Sequence, residues 1–252
     1  MNLSRSGGYQ PRAYRRLVHA EGLVKFGVTV RQSDLAIWAR RELRAEAAAA
    51  LQAVRAELEG YIRRQPEFRD SLLPVDPLPD APRVIVAMCR AGKAAGVGPM
   101  AGVAGAVAQV VAEALAPYSP EVVVENGGDV YLLTQTQRRV VVVAPGSKLS
   151  GRLAMLVPAG EKLSVCTSSG RHGPSLSLGR ADAAVVVSPD GALADAVATA
   201  LGNRVRGRSD IKAALEWAAA IDNVVHAMVL CNSQFGAVGN LEIVPVSIDN
   251  NG

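Results

Sequence analysis

Aromatic residues are scarce in this chain, at 4% of its 252 residues. A surface that stacks nucleic-acid bases needs several aromatic rings, so the scarcity argues against nucleic-acid binding. The net charge of +4 does not change this, because much of the excess lies in four N-terminal arginines, Arg5, Arg12, Arg15 and Arg16. We interpret residues 1–20 as a solvated basic segment and expect residues 21–252 to form one domain.

Cysteine is also rare, and no two of Cys89, Cys166 and Cys231 have C-x-x-C spacing. An odd number of cysteines without that spacing offers neither a disulfide framework nor a zinc site, and it indicates a reducing compartment. The first residues lack the apolar core of a signal peptide. We therefore expect a cytoplasmic protein.

Long hydrophobic runs are limited to one uncharged stretch, residues 94–112, which approaches the length of a bilayer span. It consists mostly of Ala, Gly and Val, contains Pro99 and Gln109, and has no Trp or Tyr at its ends. This composition favours a helix buried in protein over a membrane span.

The hydrophobic pattern predicts many short strands and several helices. Clean alternation over residues 24–31, a turn at Ser33 and Asp34, and an apolar run at 35–38 predict a hairpin. Residues 41–64 predict an amphipathic helix. Further strands are predicted at 122–125, 130–133, 140–144, 153–157, 163–166, 183–187, 224–230 and 241–246, helices at 99–115, 191–201 and 211–221, and either type at 84–88. This order indicates an α/β (α+β) domain with a mixed sheet flanked by helices.

The predicted helix at 191–201 carries only two polar side chains, Asp195 and Thr199. An almost entirely apolar helix is normally buried, and a buried carboxylate needs a partner. Residues four apart share one helix face, so these two oxygens could hold a hard cation such as Mg²⁺. The alternative is a narrow stripe that faces solvent, and the helix alone does not separate the two.

The segment Glu125-Asn126-Gly127-Gly128-Asp129 lies between two predicted strands. Two glycines allow positive φ angles, or the close approach of a ligand to the backbone. Taken alone, the segment is better explained as a plain hairpin turn, since Asn-Gly is a common turn.

Hydroxyl groups, glycines and basic residues follow the strand predicted at 163–166, in the segment SVCTSSGRHG. Such a loop offers donors suited to phosphate. A nucleophile is also conceivable at Thr167, Ser168 or Ser169, with His172 as base, although the G-x-S-x-G elbow is absent. Cys166 is more often a buried small apolar residue than a reactive thiol, but a following nest of N–H groups and Arg171 would favour its thiolate.

Three segments together resemble the ApbE-like superfamily, known for flavin transferases. Asn126 to Asp129 resembles its N-x-G-G-D turn, Val165 to Gly170 its V-A-T-S-G loop, and Ala194 to Leu201 its A-D-A-x-A-T-A-L helix. The runs VGPMAGVAG, ENGGD, CTSSG and SLSLGRADAAVVV are similar to a stand-alone cytoplasmic branch called uncharacterised protein family 280, over most of the chain.

This resemblance implies an ApbE-like fold, with Asp195 and Thr199 holding Mg²⁺ and FAD or a related nucleotide bound beside them. The nucleotide-binding residues implied are Glu125, Asn126, Gly127, Gly128, Asp129, Thr167, Ser168, Ser169 and Gly170. Flavin transferases move FMN from FAD onto a protein threonine. Their H-I-I-D-P segment is replaced here by Arg171 to Arg180, so the resemblance extends to binding more directly than to transfer.

Three functions follow as hypotheses. The first is Mg²⁺-dependent binding of a flavin or related nucleotide, with or without transferase activity. The second is an accessory role in sulfide assimilation, in which Cys166 carries sulfur to or from a protein partner, because members of this branch are associated with that pathway. The third is a non-catalytic scaffold. A homo-oligomer is compatible with all three, and neither a membrane nor a nucleic acid is expected as a partner.

Overall fold

The computed structural model describes residues 20–144, 147–169 and 179–246. The predicted basic segment therefore lies outside the described residues, except for Ala20. Within them the α-helices are α1 Arg44–Arg64, α2 Glu67–Asp70, α3 Arg83–Ala95, α4 Val103–Leu115, α5 Gly191–Arg204 and α6 Ile211–Ala219. The strands are β1 Val24–Val30, β2 Ser33–Ala39, β3 Val122–Asn126, β4 Asp129–Leu133, β5 Arg138–Val141, β6 Leu153–Val157, β7 Lys162–Ser168, β8 Ala183–Ser188, β9 His226–Cys231, β10 Gln234–Gly239 and β11 Ile243–Pro245.

Eight strands form one sheet in the order β1-β2-β3-β4-β7-β8-β9-β10, and three form a second sheet in the order β11-β6-β5. The α+β arrangement of sheets and helices confirms the predicted class. Each strand pairing within the described residues is antiparallel, whereas the sequence predicted a mixed sheet. The difference arises partly because β1–β2, β3–β4 and β9–β10 are tight hairpins, which pair strands only in this way.

The large sheet separates two apolar cores. Val122 and Val124 point into the core shared with the helices, and Val123 between them points into the core shared with the small sheet. Because both faces are covered, every residue of β8 is buried. This explains why β8 is a continuous apolar run without polar alternation.

The segment around Pro99 is helical on both sides of a sharp bend. Residues 84–88, which could have been a strand, belong to α3, and a 3-10 turn at Pro99–Gly102 leads into α4. No single helix among the described residues is long and apolar enough to cross a membrane. Residues Arg83–Ala95 and Pro99–Leu115 meet that criterion only as a pair, bent by 106°.

Two local predictions are wrong. The β1–β2 turn is made by Arg31 and Gln32, with Arg31 at a φ of 51°, so Ser33 and Asp34 already belong to β2. Strand β10 is the second difference: no strand was predicted there, because its two glycines and two polar neighbours, Asn232 and Ser233, are typical of a loop.

Candidate functional site

Helices α4 and α5 cross with their backbones in direct contact. A Cβ on Gly105 would lie 2.1 Å from the carbonyl oxygen of Gly191, and a Cβ on Gly191 would lie 2.4 Å from that of Gly105. Only glycine fits such an approach. Gln109 adds a hydrogen bond, because its Oε1 accepts from the Gly191 N–H at 2.8 Å. The crossing places the next turn of α5, which carries Asp195, beside the first turn of α4.

Asp195 binds the start of α4. Its Oδ2 accepts hydrogen bonds from the N–H groups of Ala104 and Gly105, both at 3.0 Å. These N–H groups have no partner within their own helix, and the helix dipole favours negative charge at this end. Asp195 therefore stabilises the start of α4, whether or not it also binds a cation. Its side chain is only partly exposed.

Asp129, the first residue of β4, lies on the face of the large sheet that the helices cover. Its Oδ1 accepts a hydrogen bond from the Thr167 N–H at 3.0 Å. The buried carboxylate thus joins the end of β7 to the β3–β4 hairpin.

The two carboxyl groups repel each other. Burial, followed by the charge of Asp129, raises the pKa of Asp195 well above its ordinary value, against the lowering effect of the two N–H donors. Burial also raises the pKa of Asp129 to about 7, and the charge of Glu125 contributes in the same direction. Both groups would ionise more readily beside a cation.

The β3–β4 turn consists of Gly127 and Gly128, with φ angles of 68° and 109°. No described atom lies within 4 Å of a Cβ built on either glycine, so a ligand has room to approach this backbone. Asn126 Nδ2 donates to the Ala104 carbonyl oxygen at 3.1 Å, which ties the turn to α4. The predicted hairpin is therefore present and adjoins the two carboxylates.

Glu125 has a different place from the other members of this segment. It alternates with Asn126 along β3 and so shares the face of Val123, away from the helices. It is buried, and its Oε1 accepts from the Gly128 N–H at 2.8 Å. Its contact with the turn is structural, and its effect on Asp129 is electrostatic.

Cys166 is fully buried between the sheet and α5. Its Sγ lies 3.2 Å from Ser164 Oγ and 3.8 Å from the Gly191 carbonyl oxygen. Burial, then the charges of Asp129 and Asp195, raise its pKa well above the ordinary value. These surroundings oppose the reactive thiolate considered in the sequence analysis, because carboxylates rather than N–H groups face the sulfur.

Most of the remaining predicted site residues lie within the described part of the chain. Thr167 contributes its N–H to Asp129, and Ser168 is buried with no hydrogen-bond partner for its Oγ among the described residues. Ser169 follows β7, and Thr199 lies one turn beyond Asp195 and is partly exposed. Gly170 and His172 lie outside the described residues.

The donor set suits Mg²⁺ with additional oxygen ligands. Among the described residues there is no cluster of three or more His, Cys, Asp and Glu side chains that could hold a metal ion. Mg²⁺ is commonly bound by one or two carboxylates, with water and substrate phosphates completing its coordination. Two repelling carboxyl groups, Asp129 and Asp195, fit that arrangement.

Sequence reasoning missed the α4 residues that build the site, namely Ala104 and Gly105 through their N–H groups and Gln109 through its side chain. The available signal was Gln109 itself, a lone amide within an uncharged apolar run. An amide on an otherwise apolar helix needs hydrogen-bond partners, and this need would have indicated contact with another backbone.

The sequence of this chain is similar to those of a known protein family. The family model described as "AbpE bacteria" matches residues 15–234. A UPF0280 protein of Methanocella arvoryzae is 40% identical over 198 residues, covering 78% of this chain and 81% of the relative. A UPF0280 protein of Methanopyrus kandleri is 41% identical over 198 residues, covering 76% and 79%.

Two solved structures described as flavin transferases superpose on this chain at low sequence identity. A variant of the flavin transferase ApbE from Vibrio cholerae superposes with a TM-score of 0.58 at 12% identity, covering 86% of this chain and 96% of that one. The apo flavinyl transferase ApbE of Pseudomonas stutzeri gives a TM-score of 0.56 at 12% identity, covering 86% and 93%. At these identities the similarity establishes the fold alone. The sequence matches establish membership: the chain belongs to the ApbE-like superfamily, within the UPF0280 family.

Proposed function

We propose that the chain binds FAD or a related nucleotide together with Mg²⁺ at the site formed by Asp129, Asp195 and the Gly127-Gly128 turn. The observation that carries the proposal is a pair of repelling carboxyl groups with raised pKa values, the buried Asp129 and the partly exposed Asp195. Such a pair is costly without a cation, and a divalent cation would favour the ionised form of both groups.

The protein would hold Mg²⁺ through the carboxylates of Asp129 and Asp195, with the Thr199 hydroxyl as a further candidate ligand. Bound Mg²⁺ neutralises phosphate charge and orients the phosphates. The open Gly127-Gly128 turn supplies a place where a nucleotide can approach the backbone closely. The hydrogen bonds of Asn126 and Gln109 fix the positions of the turn and of α5 relative to α4.

The superposed proteins support a flavin over other nucleotides, because they are flavin transferases. Transfer of FMN is less well supported than flavin binding. The reason is that Arg171 to Arg180 replaces the H-I-I-D-P segment of the transferase pattern. The sulfur-relay hypothesis finds less support, because Cys166 is buried and its pKa is raised.

Calorimetric titration of FAD, FMN, ADP and ATP, with and without Mg²⁺, tests the proposal. We expect FAD to bind, at least tenfold more tightly with Mg²⁺, since about 1.4 kcal/mol corresponds to a tenfold change. Asp195→Asn should abolish the Mg²⁺ effect, because Asn can still accept from the α4 N–H groups but carries no charge.

Asp222→Asn is the matched control, because Asp222 is exposed and remote in sequence from the site segments. It should leave both affinities unchanged. Absence of binding by all four nucleotides would overturn the proposal. An unaltered Mg²⁺ effect in Asp195→Asn would reject Asp195 as a ligand and leave it only its role at α4.

A further inference from the structure

Strand β10 forms one edge of the large sheet, far along the strand order from β4 and β7. It pairs with β9 on one side, and no strand among the described residues pairs with its other side. The β9–β10 turn contains Asn232 and Ser233, with φ angles of 50° and 63°. Next to such a two-residue turn, the first residue pair is hydrogen-bonded and the following pairs alternate. Gln234 and Gly236 therefore bond to β9, whereas Phe235 and Ala237 direct their N–H and C=O groups away from it.

Helix α6 lies across this strand and forms a groove with its edge. A Cβ on Gly236 would lie 2.8 Å from Cγ2 of Ile211 and 3.0 Å from Cδ1 of Leu215, so glycine permits the close contact. The groove has a volume of about 560 Å³, with Arg208, Ile211, Lys212 and Leu215 on its helical wall. These four residues follow the spacing of a single helix stripe.

The helical wall of the groove carries two cations beside Ile211 and Leu215, and the β10 side is formed by residues 234–237, of which only Gln234 has a polar side chain. Among the described residues, the charged side chains that line it are those of Arg208 and Lys212, and no carboxylate does so. Lys212 lies 3.8 Å from Glu216, but both side chains are largely exposed, so this pair holds the lysine only weakly. On the opposite face of the strand, Phe235 is 50% exposed.

We propose that this groove binds an extended, acidic segment of a partner protein, which adds to the sheet as a strand beside β10. Main-chain hydrogen bonds would form with Phe235 and Ala237, as in other proteins that recognise peptides by strand addition. Alternate side chains of the added strand would face α6, where acidic groups meet Arg208 and Lys212. The side chains between them would cover Phe235.

The charges favour an acidic partner over a second copy of this chain. Two copies joined through β10 about a two-fold axis would continue one sheet, with both α6 helices on the same face. Arg208 and Lys212 of each copy would then approach those of the other, and like charges at an interface are unfavourable. This surface is separate from the proposed nucleotide site, so the two can be tested independently.

A synthetic hexapeptide of alternating glutamate and valine, blocked at both ends and carrying a fluorophore, is the probe. Fluorescence anisotropy with the full chain should detect binding that weakens as salt rises, because the cations are exposed. Lys212→Glu should weaken binding about tenfold through the loss of charge complementarity. Arg139→Glu, at an exposed arginine of the small sheet, is the matched control and should have no effect.

Ala237→Pro separates strand addition from simple charge attraction. Proline removes an N–H that points away from β9, so the existing pairing is retained while the added strand loses a donor. We expect binding to be lost and the amide NMR signals of Phe235 and Ala237 to shift on titration of the unsubstituted chain. Equal binding of a lysine–valine peptide, unchanged affinity in Lys212→Glu, static amide signals, or a dimer that Ala237→Pro dissociates would overturn the proposal.

Discussion

Gly105 of α4 lies against the carbonyl oxygen of Gly191 of α5, so closely that a Cβ would be 2.1 Å from it. Gly105→Ala should therefore separate the helices and move Asp195 away from the α4 N–H groups. We expect a loss of about 1–3 kcal/mol of stability, the usual cost of overpacking, and a larger loss of Mg²⁺-dependent nucleotide affinity. Chemical unfolding and calorimetry measure the two effects. Gly207→Ala is the control, since a Cβ there meets no described atom, and an equal loss in that variant would contradict the explanation.

Asp129 predicts how stability depends on pH without Mg²⁺. Its pKa is raised to about 7 by burial and by Glu125, so the folded chain retains a proton that the unfolded chain releases near its ordinary value. The free energy of unfolding should then decrease as pH rises from about 4 to 7. Asp129→Asn, which can still accept from Thr167, should flatten that decrease. Saturating Mg²⁺ should do the same in the unsubstituted chain, and identical pH profiles for all three samples would refute this account.

His226 predicts the opposite trend. It is buried, neither ring nitrogen has a hydrogen-bond partner among the described residues, and burial lowers its pKa. The unfolded chain therefore binds a proton more readily than the folded chain, and stability should be lost as pH falls below the ordinary value of about 6.5. His226→Leu should remove that part of the acid sensitivity. Unfolding curves of Asp129→Asn and His226→Leu separate the two contributions, which act in opposite directions.

Cys166 should react slowly with iodoacetamide in the folded chain at neutral pH. It is fully buried and its pKa is raised, and thiolates are the reactive form. Timed labelling followed by peptide mass spectrometry should give comparable rates for Cys89, Cys166 and Cys231, all of which are buried. Selective fast labelling or persulfide at Cys166 would revive the sulfur-relay hypothesis and contradict the geometry.

Local chemistry was predictable where one rule dominated. The Gly127-Gly128 hairpin follows from turn preferences. In the structure the Asp190 side chain caps α5 by accepting from the Leu193 N–H at 3.1 Å, in agreement with the general preference for aspartate at this position. The β1–β2 turn was misplaced because serine and aspartate are common in turns, yet tertiary pairing placed Arg31 there at positive φ. Preferences of this kind are weak where strand register determines the turn.

The site itself was only partly predictable. The motif resemblance selected Asp129 and Asp195, but the N–H partners of Asp195 come from α4, a segment whose sequence shows only small apolar residues around Gln109. Glu125 and Asp129 looked equivalent in the sequence, whereas strand alternation directs them to opposite faces. Backbone N–H groups carry no sequence signature, so their contribution required the helix crossing to be known.

Strands β4 and β7 occupy the fourth and fifth positions of the eight-stranded sheet. Central strands open only when most of the molecule unfolds, whereas edge strands such as β10 open locally and often. Amide hydrogens of buried residues such as Tyr131 and Val165 should consequently exchange with solvent through global unfolding alone. A ligand bound on these strands would slow exchange throughout the core, so occupancy of the site could be read from amides far from any atom that the ligand touches.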